Sequence, residues 1–161
     1  MRNLKSKNFK LAYFISIMIF LFGICTVIIP LIFVYMIPNA GITYYITQHQ
    51  NYFLFTIPIL LYFIMNGVFL YELKIDYYVI QIKSHRTITG FLGPKNYIDI
   101  SHKMLKDYSF FDRPFSLNKT LMVKIKCDNK RVIKRFNMTL ISDKEIEKIS
   151  KILDRIIVKN N

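Results

Sequence analysis

Two long apolar stretches occupy the first half of the chain, at residues 11–37 and 52–71, and neither contains Asp, Glu, Lys or Arg. The hydrocarbon core of a bilayer is about 30 Å thick, so about 20 helical residues cross it. A cleaved signal peptide is the alternative for the first stretch, but its apolar part runs about 7 to 15 residues and ends in small residues. The pattern therefore predicts a membrane α-helical hairpin with two spans.

The second half of the chain alternates apolar and polar residues, which is typical of β-strands. The alternation predicts strands at residues 73–76, 78–83, 87–91, 96–101, 120–127 and 131–140, with a weaker one at 103–111. Asp128, Asn129 and Lys130 form a predicted hairpin turn before the last strand. The residues of that strand predicted to face inward are Val132, Phe136, Met138 and Leu140.

A helix is predicted at the end of the chain. Ser142 and Glu145 have the spacing of a capping box. The apolar residues that follow recur at helical spacing, namely Ile146, Ile149, Ile152, Leu153, Ile156 and Ile157. We expect this amphipathic helix to cover the core of a small α+β domain, and lying on the membrane surface is the alternative.

The charged residues lie outside the apolar stretches. Four of the 23 Lys and Arg residues precede the first stretch, and all ten acids lie at or after Glu72. The link at residues 38–51 has neither Lys nor Arg, so both termini are expected in the cytoplasm and Tyr44 outside. The chain thus divides into residues 1–71, a basic tail with the hairpin, and residues 72–161, a cytoplasmic domain. The net charge of +13 favours contact with anionic lipid. No nucleic-acid-binding pattern accompanies it, so nucleic acid is not an expected partner.

Small and polar residues in the apolar stretches predict helix packing. The candidate packing residues are Ala12, Ser16, Gly23, Thr26, Asn66 and Gly67. Small residues let a second helix approach closely. Pro30 is expected to disturb the first helix about one turn earlier. A hydrogen bond between Ser16 and Asn66 is predicted, since a carboxamide facing lipid would be unsatisfied.

No catalytic or metal-binding motif is present. His49, His85 and His102 are far apart in sequence, and Cys25 and Cys127 have no metal-ligand spacing around them. There is no P-loop, HExxH or GxSxG pattern. We therefore expect no enzyme activity, no metal and no cofactor.

An aromatic segment at residues 108–116 has two interpretations. The residues concerned are Phe110, Phe111, Arg113 and Phe115. If the aromatic rings point outward, they form a docking patch for a partner or for the bilayer interface. The alternative is that the three Phe residues fold into the domain core, as Phe side chains usually do.

Five segments follow the two spans, namely residues 73–76, 79–83 and 97–101, the hairpin at 120–140 and the helix from Ser142. In this order they resemble small bacterial membrane proteins that carry a PH-like domain. The resemblance covers residues 72–158 and rests on strand order and the terminal helix. It implies a partly open β-barrel closed at one end by the helix, placed at the bacterial cytoplasmic (inner) membrane and used for binding without catalysis. The segment from Lys83 to Arg86 resembles the basic loop in which lipid-binding PH domains hold phosphates.

These observations lead to one main hypothesis. In a PH-like barrel, six basic residues are expected to form a positive binding patch, namely Lys83, Arg86, Lys124, Lys126, Arg131 and Arg135. We expect a non-enzymatic, membrane-anchored binding or scaffolding protein that contacts membrane lipids and a membrane-protein partner as an accessory subunit. The alternatives are a small membrane-bound enzyme acting on lipid, with His85 or His102 as its base, and a transporter component.

Overall fold

The computed structural model describes residues 3–36, 40–49, 51–87, 96–112, 114, 116–127 and 130–160. The chain folds into two compact units. The β-sheet unit comprises Met1–Tyr13 and Val68–Asn161, and the helical unit comprises Phe14–Gly67. The helices are α1 (Phe9–Gly23), α2 (Ile29–Tyr35), α3 (Ala40–Gln48), α4 (Asn51–Asn66) and α5 (Asp143–Asn160).

The β-sheet unit has two antiparallel sheets in the part of the chain that is described. The first has the order β1 (Leu4–Lys7), β2 (Phe69–Ile75), β3 (Val79–Arg86) and β4 (Asn96–Ser101). The second has the order β5 (Leu105–Asp112), β6 (Asn118–Cys127) and β7 (Lys130–Thr139). The predicted strands at 96–101, 120–127 and 131–140 correspond to β4, β6 and β7, whereas the prediction at 87–91 lies mostly outside the described residues.

The basic tail expected at the N-terminus contains a strand of the first sheet. β1 pairs antiparallel with β2, so that Lys5 lies opposite Lys74 and Lys7 lies opposite Glu72. Glu72 Oε1 is 3.6 Å from Lys5 Nζ and 3.3 Å from Lys74 Nζ. The sheet unit is therefore discontinuous in sequence, because the helical unit is inserted between its first two strands. The division predicted from the sequence lay instead between residues 71 and 72.

The core lies between the two sheets and α5. Leu73, Ile82 and Phe136 are fully buried there, together with Ile149 and Leu153 of α5. The predicted capping box is confirmed, because Glu145 N donates to Ser142 Oγ at 3.3 Å and Ser142 N donates to Glu145 Oε2 at 3.4 Å. The helix therefore covers the core, as the first of its two interpretations predicted.

The inward face of β7 is shorter than the alternation predicted. Phe136 and Met138 are fully buried as expected. Val132 lies on the same face of the strand as these two residues but is 38 % exposed, and Leu140, beyond the end of the strand, is 39 % exposed. Neither residue is part of the buried core. Leu140 has a φ of 54°, which ends the strand before α5. The first half of β7 extends beyond the covered part of the core.

The described residues contain one candidate membrane span, which begins in the β-sheet unit and continues into the helical unit. The helix runs from Phe9 to Tyr35, is 27 residues long and has a mean hydropathy of 3.0 in its most apolar window, of which 6 % is buried. Ile24–Ile28 is π-helical and ends two residues before Pro30. The disturbance predicted from Pro30 thus takes the form of a π-turn, in which Thr26 Oγ1 donates to the carbonyl oxygen of Phe22 at 2.6 Å.

The second predicted span, at residues 52–71, is not shown. α4 has 16 residues, which gives a helix about 24 Å long. It ends at Asn66 because Gly67 has a φ of 68°, the left-handed conformation of a helix C-cap. The chain then enters β2 at Phe69. The predicted outer link also contains the helix α3.

Candidate functional site

The start of α1 is joined to both sheets by the buried side chain of Asn8. Asn8 Nδ2 donates to the carbonyl oxygens of Phe69 and Thr139, each at 2.9 Å. Asn8 Oδ1 accepts a hydrogen bond from Tyr71 N at 2.9 Å. The carbonyl oxygen of Asn8 accepts from Ala12 N at 2.9 Å, which begins α1. One carboxamide therefore holds the start of the helix, β2 and β7 together.

Two further contacts strengthen this junction. Phe69 N donates to Thr139 Oγ1 at 2.7 Å, and Thr139 Oγ1 is also hydrogen-bonded to Asn118 Oδ1. Ser6 Oγ lies 3.1 Å from Glu145 Oε1 and 3.4 Å from the hydroxyl of Tyr71. Burial raises the pKa of Tyr71, so its hydroxyl stays protonated. Neither Asn8 nor Ser6 was singled out from the sequence, because their partners are distant along the chain.

The surface of the second sheet that faces away from the core combines basic and apolar residues. We call it the outward face. Because strand residues alternate between the two faces, the register of β5, β6 and β7 fixes its members. They are Asp107, Ser109, Phe111, Thr120, Met122, Lys124, Lys126, Arg131, Ile133, Arg135 and Asn137. Phe111 is 47 % exposed and Ile133 is 54 % exposed, so the face presents apolar as well as charged groups.

The basic residues of the outward face exceed its acids. Lys124 Nζ is 2.7 Å from Asp107 Oδ2, and this contact lowers the pKa of Asp107. Within the described residues, Lys126, Arg131 and Arg135 form no ion pair. All three are exposed. The face therefore has a net positive charge that an anionic partner can neutralise.

Two hollows open on this face. The larger has a volume of about 620 Å³, and Lys124, Lys126, Arg131 and Ile133 are among the residues that line it. The smaller has a volume of about 300 Å³, and its lining residues are Phe111, Thr120, Met122 and Arg135. Both have a basic group beside an apolar one. This arrangement suits a ligand or peptide with neighbouring acidic and apolar groups.

β7 changes from exposed to buried halfway along its length. Residues 130–135, which we call the exposed half of β7, are all exposed, whereas Phe136, Met138 and Thr139 are buried. The buried half contacts the first sheet, where Ser84 Oγ donates to the carbonyl oxygen of Asn137 at 2.6 Å. Asn96 Nδ2 donates to the carbonyl oxygen of Arg135 at 3.3 Å, at the boundary between the two halves.

The six predicted basic residues are divided between the two sheets. Lys124, Lys126, Arg131 and Arg135 lie on the outward face. Lys83 and Arg86 lie on β3 of the first sheet, where Lys83 Nζ is 5.3 Å from the ring centroid of Tyr97 and the Arg86 guanidinium is 5.9 Å from that of Phe69. A single patch formed by all six stays a prediction.

The two described Phe residues of the aromatic segment lie on opposite faces of the sheet, and the docking role stays a prediction. Residues 105–112 form the regular strand β5, so neighbouring side chains point to opposite faces. Phe110 packs against the core, and Phe111 is on the outward face. Arg113 and Phe115 lie outside the described residues.

The candidate packing residues have different roles. Ala12, Ser16 and Thr26 are buried. An added Cβ at Gly23 would lie 3.5 Å from Leu60 Cδ2, so α4 approaches the helix here. Asn66 Nδ2 donates to the carbonyl oxygen of Tyr62 at 3.1 Å. The hydrogen bond between Ser16 and Asn66 stays a prediction, and Gly67 caps α4.

Two of the three histidines lie in the β-sheet unit. His85 lies in β3, and His102 begins a short 3-10 helix. Burial lowers the pKa of His102, and the backbone of Asp76 and Val79 opposes this shift. In the described part of the chain, His102 Nε2 has no hydrogen-bond partner, and no cluster of three His, Cys, Asp or Glu residues is placed to hold a metal.

Comparison of the chain with protein-family models, with curated proteins and with solved structures finds no significant match.

Proposed function

We propose that this chain is a multi-pass membrane protein whose discontinuous β-sheet unit is a non-enzymatic, PH-like binding or scaffolding domain. In this proposal it is an accessory subunit of a larger assembly in a bacterial cytoplasmic membrane. The proposal has three parts, which concern the number of crossings, the orientation and the binding role.

The pairing of β1 with β2 carries the first part. The chain leaves the first sheet after Lys7 and returns to it at Phe69, the start of β2. Lys7 lies opposite Glu72 in the register of the two strands. A chain that leaves and re-enters one folded unit must cross a membrane an even number of times. Phe9–Tyr35 is long enough for one crossing. The return crossing is assigned to α4.

α4 is short for a span, but its composition fits the role. A helix shorter than the hydrocarbon thickness is accommodated by local thinning of the bilayer. The helical unit contains no Asp, Glu, Lys or Arg. Leu54, Phe55 and Met65 of α4 are at least 70 % exposed, and such apolar side chains are stable in lipid.

The distribution of charge supports the orientation. All the Lys and Arg residues belong to the β-sheet unit. Basic segments beside a membrane are retained on the cytoplasmic side. The proposed topology therefore has both termini and the β-sheet unit in the cytoplasm, with Tyr44 outside.

The binding role is supported by the arrangement of the sheets and by the outward face. A four-stranded and a three-stranded antiparallel sheet covered by a C-terminal helix resemble the PH-like architecture. The outward face offers uncompensated cations beside exposed apolar groups. This combination is typical of a surface that binds a macromolecule, because a small substrate is usually enclosed in a concave pocket.

Purification in a mild detergent tests the accessory role. We expect the chain to elute with a second protein in a fixed ratio, as measured by mass spectrometry of the eluted complex. The lysate of a strain without the gene for this chain, passed over the same resin, is the control. A chain that elutes alone contradicts the accessory role, and lipid turnover by the purified chain contradicts the non-enzymatic one.

A further inference from the structure

We propose that the exposed half of β7 binds an extended acidic segment of a partner protein, which adds to the second sheet as a further strand. This inference rests on the proposed binding role and specifies the chemistry of the partner. It combines three observations, which are the exposure of this half-strand, the pairing of β7 on one side, and the order of its side chains.

The first two observations concern the edge of the sheet. Within the described residues, β7 pairs with β6 on one side only. Residues 130–135 are exposed throughout, including Val132 at 38 % and Ile133 at 54 %. The edge of a sheet presents backbone N–H and C=O groups that an extended peptide can bind. The carbonyl oxygen of Arg135, at the inner end of this half-strand, already accepts from Asn96 Nδ2 at 3.3 Å. The proposed partner strand therefore pairs with the edge from Lys130 to Lys134, where the described residues place no further strand.

The third observation is the order of side chains in the exposed half of β7. Residues 130–135 read Lys, Arg, Val, Ile, Lys, Arg. Two cations, two apolar residues and two cations follow one another, and this order is the same in both chain directions. A parallel and an antiparallel partner strand therefore need the same order of complementary side chains. Side chains directly opposite one another on paired strands interact, and opposite charges are favourable. The complementary segment has two acids, two apolar residues and two acids.

The charge of this strand disfavours its pairing with the same strand of a second copy of the chain. Two cationic edges would place like charges opposite each other, which is unfavourable. Cations on edge strands also protect proteins from aggregation, and this protection alone is the simplest alternative explanation of the pattern. The proposal differs from it by requiring that a matched acidic strand binds through its backbone.

A protein segment is favoured over a lipid surface by the directions of the side chains on β7. Successive residues of a strand point to opposite faces of the sheet. The cations of the exposed half are therefore divided between the two faces. Its apolar pair, Val132 and Ile133, also points to opposite faces of the sheet, which suits a peptide strand better than a flat surface.

The test uses the full chain in nanodiscs of zwitterionic lipid and a short fluorescent peptide with the central sequence Glu-Asp-Val-Ile-Glu-Asp. Fluorescence anisotropy measures the affinity. One control peptide has the same composition with the apolar residues moved to the ends. A second has N-methyl groups on alternate residues along the edge that faces β7, which removes the backbone donors. The protein variant is Arg131→Gln with Arg135→Gln, and the matched control is Lys144→Gln with Lys148→Gln on the exposed surface of α5.

We expect the matched peptide to bind, and both control peptides to bind at least about tenfold more weakly. The Arg131 and Arg135 substitutions should weaken binding by about threefold to thirtyfold, and the substitutions on α5 should leave it unchanged. Equal binding of the matched and rearranged peptides would show general charge attraction and overturn the proposal. Equal binding of the N-methylated peptide would overturn strand addition.

Two further outcomes are also decisive. If none of the peptides binds while thermal unfolding shows a folded protein, the edge is only protected by its charges and the proposal is wrong. If the protein binds vesicles of anionic lipid and this binding requires Arg131 and Arg135, the surface is a lipid site and the proposal is again wrong. Neither outcome changes the number of membrane crossings, which is measured separately.

Discussion

The Nδ2 atom of Asn8 donates a hydrogen bond to the carbonyl oxygen of Thr139 at 2.9 Å, across 131 positions of sequence. This contact joins the residue that precedes α1 to the end of the last strand. The same carboxamide bonds to Phe69 and Tyr71 of β2. The start of α1 is therefore fixed to both sheets.

Asn8→Ala is predicted to destabilise the β-sheet unit. It removes two buried hydrogen bonds and one partly buried one, and with them a partner of backbone groups of Phe69, Tyr71 and Thr139. We expect a loss of about 3 kcal/mol in the free energy of unfolding. Denaturant unfolding in detergent, followed by circular dichroism, measures it. Asn96→Ala is the control, because its one exposed bond of 3.3 Å should contribute less than about 1 kcal/mol. Equal losses would contradict the role of Asn8.

The attachment of β1 is predicted to weaken in acid. Burial alone would raise the pKa of Glu72, but Lys74 and Lys5 outweigh it, so the pKa is lowered. A carboxylate with a lowered pKa contributes stability above its unfolded-state pKa, near 4.3, and loses it as the pH falls through the folded-state value. Glu72→Gln should therefore reduce the pH dependence of the unfolding midpoint below about pH 4.3.

Glu147→Gln is the matched control for this pH prediction. Lys151 lowers the pKa of Glu147, but both side chains are about two-thirds exposed, and solvent screening reduces the contribution of such a pair. The two variants should be compared in urea unfolding between about pH 3 and about pH 6. A larger effect of the Glu147 substitution would show that the contact of β1 with β2 is not the acid-sensitive one.

Two glycines of the helical unit are predicted to respond differently to alanine. Gly67 has a φ of 68°, which an L side chain disfavours, so Gly67→Ala should cost about 1 kcal/mol. At Gly23 the added Cβ would lie at an ordinary contact distance of 3.5 Å from Leu60 Cδ2. Gly23→Ala should be neutral or stabilising by up to about 1 kcal/mol. Thermal unfolding in detergent measures both, and the reverse order would contradict the assigned end of α4.

The sequence predicted the elements whose signals are local. The alternation of residues 120–127 gave most of β6, and Ser142 with Glu145 gave the start of α5, because both patterns are complete within a few residues. Phe110 and Phe111 were left with two interpretations, since only the strand assignment decides which of two neighbours faces inward.

The missed elements depend on distant partners. β1 has four residues with one apolar side chain, and Leu4 pairs with Ile75, so no local pattern identifies it. The second span was predicted too long because Leu70 and Tyr71 are both buried. A strand buried on both faces has a continuous apolar run, which periodicity cannot distinguish from a helix. Gly67, which ends α4, was interpreted from the sequence as a packing residue.

This discontinuity changes how the domain can be tested. A fragment that begins at Lys74 lacks β1 and most of β2, so it has lost two of the four strands of the first sheet. Binding experiments on anionic vesicles therefore require the full chain. In such experiments, substitution of Lys83 and Arg86 in the first sheet should be compared with substitution of Lys124 and Lys126 in the second.

The central claim is that the insertion crosses the membrane and returns to the same side. The test is cysteine labelling in intact cells with a membrane-impermeant maleimide, in a Cys25→Ser background. Cys127 reports on the β-sheet unit, and Tyr44→Cys reports on the helical unit, since both positions are exposed. The account predicts that the Tyr44→Cys position reacts in intact cells and that Cys127 reacts only after permeabilisation. Reaction of both positions or of Cys127 alone in intact cells, or of neither before permeabilisation, would contradict it.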